Sequence, residues 1–146
     1  KGVDLNRNFP SSNWSPEPVF YKSRENDQQD IALSPGPEPA SEPETRALLS
    51  LLDRMKPRAV ITLHAALACI DDLDSSFLAT QLSEKSGLPL EVVSYATLGS
   101  FGSWAREQGL NLVTYELDPA SAYDLKDRHV PVLIDVLTGK IDLEGP

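Results

Sequence analysis

Apolar and polar positions along the chain alternate between two periods. Ala59-Val60-Ile61-Thr62-Leu63-His64 is short, apolar and β-branched, which predicts a buried strand over 59–64. Leu110 to Leu117 and Glu91 to Tyr95 predict two more strands. Between them the apolar residues recur at helical spacing. A helix is predicted from about Glu42 to Arg54, with Ala47, Leu48, Leu51, Leu52 and Met55 on one face. Ser41-Glu42-Pro43-Glu44 supplies its start signal: Ser as N-cap, Glu44 as capping-box partner and Pro in the first turn. Pro57 ends it. Asp74 to Lys85 predicts a second helix, closed by Gly87 and Pro89. The turn Gly99-Ser100-Phe101-Gly102-Ser103-Trp104 leads into a short third helix ending at Gly109. The last helix runs from about Ala122 to Leu137, with a kink expected at Pro131. Strands that alternate with helices predict an α/β fold, a mixed and mostly parallel sheet flanked by helices.

Residues 11 to 43 break the pattern. Pro16, Pro18, Pro35, Gly36, Pro37, Pro39 and Pro43 punctuate a stretch with little periodicity and a polar middle from Arg24 to Asp30. It reads as one long irregular excursion, of the kind that is either a binding loop or disordered.

At 146 residues the chain is one domain's worth and long enough to bury a sizeable core. The net charge of −9 argues against a nucleic-acid partner, which needs a basic face, and against adhesion to anionic lipid. No run of about 18 apolar residues exists, so no membrane span is expected. Cys69 is the only cysteine, which excludes an internal disulfide and is compatible with a reducing compartment; its apolar neighbours favour a core residue over a reactive thiol. No signal peptide opens the chain, but residue 1 is Lys rather than Met, so that absence carries little weight.

Five positions carry candidate chemistry. In Gly2-Val3-Asp4-Leu5-Asn6-Arg7-Asn8-Phe9-Pro10, Arg7 offers a planar, permanently charged fork that holds a carboxylate through two parallel hydrogen bonds, and Asn6 can add a donor to the same anion. The alternative is a surface Arg in a turn. His64 ends a strand, where ligands of α/β sheets collect, and a neutral imidazole there suits zinc; the alternative is a hydrogen-bonded structural histidine. Glu116 takes the same relative place in Val113-Thr114-Tyr115-Glu116-Leu117, where a carboxylate is costly to bury unless paired or beside a metal. It can act as a general base; the alternative is an edge-strand Glu facing solvent. Tyr95 follows a strand and could donate its hydroxyl to a substrate or pack as a half-buried aromatic. Trp14 and Trp104 read as packing residues.

Together these motifs resemble the zinc metallocarboxypeptidases over nearly the whole chain. Gly2 to Phe9 is similar to the family's substrate-carboxylate motif, and Ser41 to Thr45 to its helix start before the third metal ligand. Thr62-Leu63-His64 resembles the strand carrying that ligand, Tyr95 with Gly99-Ser100 and Trp104 the segment of its mobile tyrosine, and Thr114-Tyr115-Glu116 the strand of its catalytic glutamate. A narrower resemblance, to the bacterial murein peptide amidases, lies in His64-Ala65-Ala66-Leu67-Ala68-Cys69-Ile70-Asp71-Asp72 and in Gly99 to Trp104. It implies a cytoplasmic enzyme that hydrolyses the γ-D-glutamyl–diaminopimelate bond of cell-wall peptides, and a peptide substrate with a free carboxylate. Asp71 and Asp72 are then either a site for the extra ammonium of diaminopimelate or a solvated loop pair.

The resemblance implies one zinc, with His64 as a ligand and Glu116 as general base, Asn6 and Arg7 on the substrate carboxylate and Tyr95 closing over it. The family's His-x-x-Glu pair and its oxyanion-stabilising arginine lie ahead of the Asn-Arg pair and have no counterpart here; the only other histidine is His129. Residues 1–146 are therefore expected to be the C-terminal portion of a single domain whose first strands are missing, inactive alone, with two zinc ligands upstream and an uncovered sheet surface open to self-association. The rival readings are an inactive remnant or carboxylate-binding module without metal, and a zinc carboxypeptidase with another peptide substrate.

Overall fold

The structure is a computed structural model that describes residues 2–22, 30–93, 97–143 and 145. They form two compact units, one made of the described residues of Lys1–Pro57 and Ala96–Gly109, the other of Arg58–Tyr95 and Leu110–Pro146.

The first unit opens with a 3-10 turn, Leu5–Arg7, closed by the Asp4 carboxylate, which accepts the Asn6 N–H at 2.9 Å. The stretch expected to be irregular contains a hairpin instead. Strands β1 (Val19–Lys22) and β2 (Asp30–Leu33) pair antiparallel from Val19↔Leu33 to Lys22↔Asp30. Every proline of the region lies outside the two strands, so no ladder donor is lost. Helix α1 spans Pro43–Met55. Its predicted capping box does not form. Glu42 is the N-cap and makes no side-chain cap bond, while Ser41 Oγ is taken by Asn8 Nδ2 at 2.9 Å and Glu42 Oε1 at 2.8 Å. Asn8 Oδ1 accepts the Glu42 N–H instead, a cap supplied from 34 residues away. The predicted apolar face is not buried: Ala47, Leu51 and Met55 are exposed, Leu48 and Leu52 half-buried, and Thr45 is the buried residue. The helix stops as predicted before Pro57, with Lys56 in the left-handed conformation. Helix α3 (Phe101–Glu107) completes this unit, and Phe9, Phe101 and Trp104 stack, the first two rings 4.8 Å apart.

The second unit holds a four-stranded sheet made of β3 (Val60–Ala65), β4 (Cys69–Asp71), β5 (Leu90–Glu91) and β6 (Leu112–Leu117), in the order β3-β6-β4-β5. β3 pairs parallel with β6 and β4 with β5, while β4 and β6 run antiparallel, which makes the sheet mixed and mostly parallel as expected. β3 was expected to be buried. It is an edge strand among the described residues, and Leu63 is 53% exposed. The predicted strand 91–95 is shorter, Leu90–Glu91, and residues 94–96 lie outside the described ones. Helix α2 (Phe77–Ser86) starts at Ser76, whose side chain accepts the Ala79 N–H, and ends at Gly87 with φ 74°. Helix α4 (Ala122–Leu137) is capped by Ser121 and contains Pro131. Ile70, Val113 and Tyr115 from the sheet pack with Leu78, Ala79 and Leu82 of α2 and Val132 of α4 in one core. No helix among the described residues is long and apolar enough to cross a membrane.

Candidate active site

The parallel register sets His64 directly beside Glu116 on neighbouring strands, and the antiparallel register sets Cys69 on the other side of Glu116. Side chains alternate faces along a strand. Tyr115 enters the core under α2 and α4, so Glu116 points to the opposite face together with His64. Glu116 is only 7% exposed, which overturns the solvent-facing alternative. Its Oε1 lies 3.6 Å from His64 Nδ1, within ion-pairing reach but longer than a hydrogen bond. Its Oε2 is buried without a hydrogen-bond partner among the described residues. Leaving a buried carboxylate oxygen unpaired is costly, and such an exception marks a group built to meet something else. The His64 side chain is 38% exposed, so the pair opens to solvent on the imidazole side.

Cys69 behaves as the core residue its neighbours predict. Burial first, then the charges of Glu91, Glu116 and Asp71, push its thiol up to about 11, so it carries no thiolate at neutral pH. The two aspartates are not equivalent. Asp72 is buried, and its oxygens accept the backbone N–H groups of Asp74 (3.0 Å) and Ser76 (2.9 Å), fixing the entry to α2. Half-buried Asp71 accepts the Val93 N–H at 3.0 Å.

Asn6 and Arg7 belong to the first unit, on the 3-10 turn. Asn6 Oδ1 accepts the N–H of Phe101 at 3.0 Å, so the amide braces the first turn of α3. Arg7 is half-buried; one terminal nitrogen donates to the Asn6 carbonyl at 2.8 Å, and its buried Nε has no partner among the described residues. A guanidinium with a spare, shielded donor suits an anion better than the surface-turn alternative does. Gly99 fits the turn closely. Its φ is +65°, and a Cβ there would lie 2.3 Å from the Arg7 carbonyl oxygen and 2.8 Å from the Trp14 ring. Gly99→Ala is expected to destabilise the fold by about 1–3 kcal/mol through overpacking and left-handed strain, read as a lower denaturant midpoint. An unchanged midpoint would mean that the turn does not need this contact.

Tyr95 lies outside the described residues. Two structural residues escaped the sequence reading. Asn8 is fully buried, and its Nδ2 donates to the Pro35 carbonyl at 2.8 Å, to the Glu38 carbonyl at 3.1 Å and to Ser41 Oγ. His129 is buried in a network with Tyr115 and Asp118. Its signal was its place: Leu125, His129, Val132 and Val136 form one stripe of α4, and a histidine where the period asks for an apolar residue needs partners.

Among the described residues, no group of three His, Cys, Asp or Glu side chains converges to hold a metal. His64 offers one nitrogen and Glu116 a buried, half-paired carboxylate, so these residues fit part of a catalytic zinc site and not a whole one.

The chain is similar to known proteins in sequence and fold. Residues 1–70 match the zinc carboxypeptidase family. The chain is 40% identical over 138 residues to murein peptide amidase A of Escherichia coli (strain K12), covering 93% of this chain and 57% of that protein. It is 38% identical over 143 residues to murein peptide amidase A of Vibrio campbellii (strain ATCC BAA-1116), covering 97% and 58%. The crystal structure of murein-tripeptide amidase MpaA from Escherichia coli O157 superposes with a TM-score of 0.87 at 38% identity, over 93% of this chain and 58% of that one. Thrombin activatable fibrinolysis inhibitor shares the fold alone, with a TM-score of 0.59 at 23% identity over 79% of this chain and 33% of that one. The chain thus spans less than three fifths of the length of its amidase relatives, 57% and 58%. In the matched motif region, the identity and the fold, the chain is similar to the zinc carboxypeptidase family and to murein peptide amidase A.

Proposed function

We propose that this chain is the C-terminal portion of a single zinc-dependent amidase domain that hydrolyses the γ-D-glutamyl–diaminopimelate bond of murein peptides. The observation that carries the reading is buried Glu116 set beside His64, with one carboxylate oxygen lacking any partner among the described residues. The likeness to proteins named murein peptide amidase supports the substrate class. His64 is a zinc ligand in this reading, and two further ligands come from sequence outside this chain. A zinc ion held there would supply Lewis acidity to water and to the scissile carbonyl. Glu116 accepts the proton of the attacking water and returns it to the leaving amine. Asn6 and Arg7 hold the free carboxylate of the diaminopimelate residue, and Tyr95 closes over the substrate. Burial of the Asp72 carboxylate on backbone donors removes it as the ammonium site. The open edge of β3 with exposed Leu63 supports self-association of the isolated chain. The unpaired Cys69 supports a cytoplasmic setting.

Equilibrium dialysis tests the metal part. The chain alone is expected to hold zinc weakly or not at all, because one imidazole cannot replace three ligands. The full-length protein is expected to bind one zinc and to lose it in His64→Ala. Tight one-to-one binding by the chain alone, lost in His64→Ala, would show that its ligands come from elsewhere, such as a second copy.

A further inference from the structure

The end of β6 is gripped from the face opposite Glu116. The Tyr115 side chain is fully buried, and its hydroxyl lies 2.8 Å from His129 Nδ1. His129, 2% exposed, has its Nε2 2.9 Å from Asp118 Oδ1. Arg128 donates to the other oxygen of Asp118. Each end of the network sits in a defined protonation state. The His129 contact first, with the Arg128 contact also contributing, holds the Asp118 carboxyl below its ordinary range despite some desolvation, so Asp118 is an ionised acceptor and Nε2 carries the proton. Burial raises the Tyr115 phenol, which therefore keeps its proton beside Nδ1. His129 is thus held at both ring nitrogens.

A buried polar network of this kind is a poor source of stability, because well-packed apolar residues often do as well. What it offers is fixed geometry. Its two strand-end members, Tyr115 and Asp118, stand one residue before and two residues after Glu116, and His129 ties both to α4.

We infer that His129 is a positioning residue for Glu116, holding the end of β6 so that the carboxylate keeps its place beside His64. The inference rests on the proposed role of Glu116 as general base. Displacements of about 1 Å caused away from the reacting atoms can cost up to about a hundredfold in rate.

The test is a mutant cycle in the full-length protein, assayed on a γ-D-glutamyl–diaminopimelate peptide. Tyr115→Phe and His129→Gln are each expected to lower kcat by about tenfold or more with KM little changed. In a Glu116→Gln background, either change should cost less than about twofold, because the group they position is gone. Should His129→Gln fail to fold, Tyr115→Phe, which removes a single oxygen, carries the cycle. The inference is overturned if Tyr115→Phe keeps kcat within about twofold, or if the full loss recurs in the Glu116→Gln background, the sign of a general structural effect. Near-full turnover by Glu116→Gln alone would overturn the role of Glu116 itself, and this inference with it.

Discussion

Glu116→Gln in the full-length protein is expected to lower kcat by at least about a hundredfold, since general acid–base catalysis is typically worth 10²–10⁴. The substitution keeps the shape of the side chain and removes its proton-accepting charge. KM should change little, because the loss falls on the transition state and not on substrate binding. The geometry explains why this one carboxylate is singled out. Asp71 and Asp72 are committed to backbone N–H groups, whereas Glu116 is buried with one oxygen facing His64 and the other without a partner among the described residues. Steady-state kinetics on a γ-D-glutamyl–diaminopimelate peptide reads the effect. Near-full turnover would mean that the proton moves elsewhere.

Arg7→Ala is expected to act the other way, raising KM by about 10- to 100-fold with a smaller change in kcat. Hydrogen bonds to a charged group are worth about 1.5–3 kcal/mol, and the carboxylate contact is made in the ground state as well as the transition state. Arg7→Lys should recover only part of the loss, because an ammonium keeps the charge but not the two-pronged fork. A peptide amidated at its C-terminus should show the same high KM with the parent protein and little further rise with Arg7→Ala. An unchanged KM in Arg7→Ala would remove this residue from the carboxylate pocket.

Much of this was legible in the sequence, for identifiable reasons. β6 and β3 read as strands because a short β-branched run needs no tertiary information to be recognised. Helix α4 was readable at both ends, since Ser121 caps it locally. The start of α1 was misread because the expected cap, Ser41, is held by Asn8, a partner 33 residues away that no local rule can see. Strand β4 was missed for the same reason. Cys69-Ile70-Asp71 is three residues long and becomes a strand only through its neighbours β5 and β6. The hairpin of β1 and β2 was hidden by the prolines around it.

The candidate site divides along the same line. His64 and Glu116 announced themselves as polar residues ending apolar strands, and the parallel register brings them side by side. That Glu116 is buried rather than on an open edge depends on β4 covering its far side, which periodicity did not reveal. Asn6 was read as a substrate donor. The structure shows that its oxygen braces α3, a structural duty beside the proposed one.

The central claim is most directly tested by product analysis. The full-length protein is incubated with a peptide containing the γ-D-glutamyl–diaminopimelate bond, with and without a zinc chelator, and the products are identified by mass spectrometry. The account predicts cleavage at that one bond, releasing the diaminopimelate amine, with activity lost on chelation and restored by added zinc. Cleavage that survives complete metal removal, or turnover confined to ordinary C-terminal peptide bonds, would contradict it.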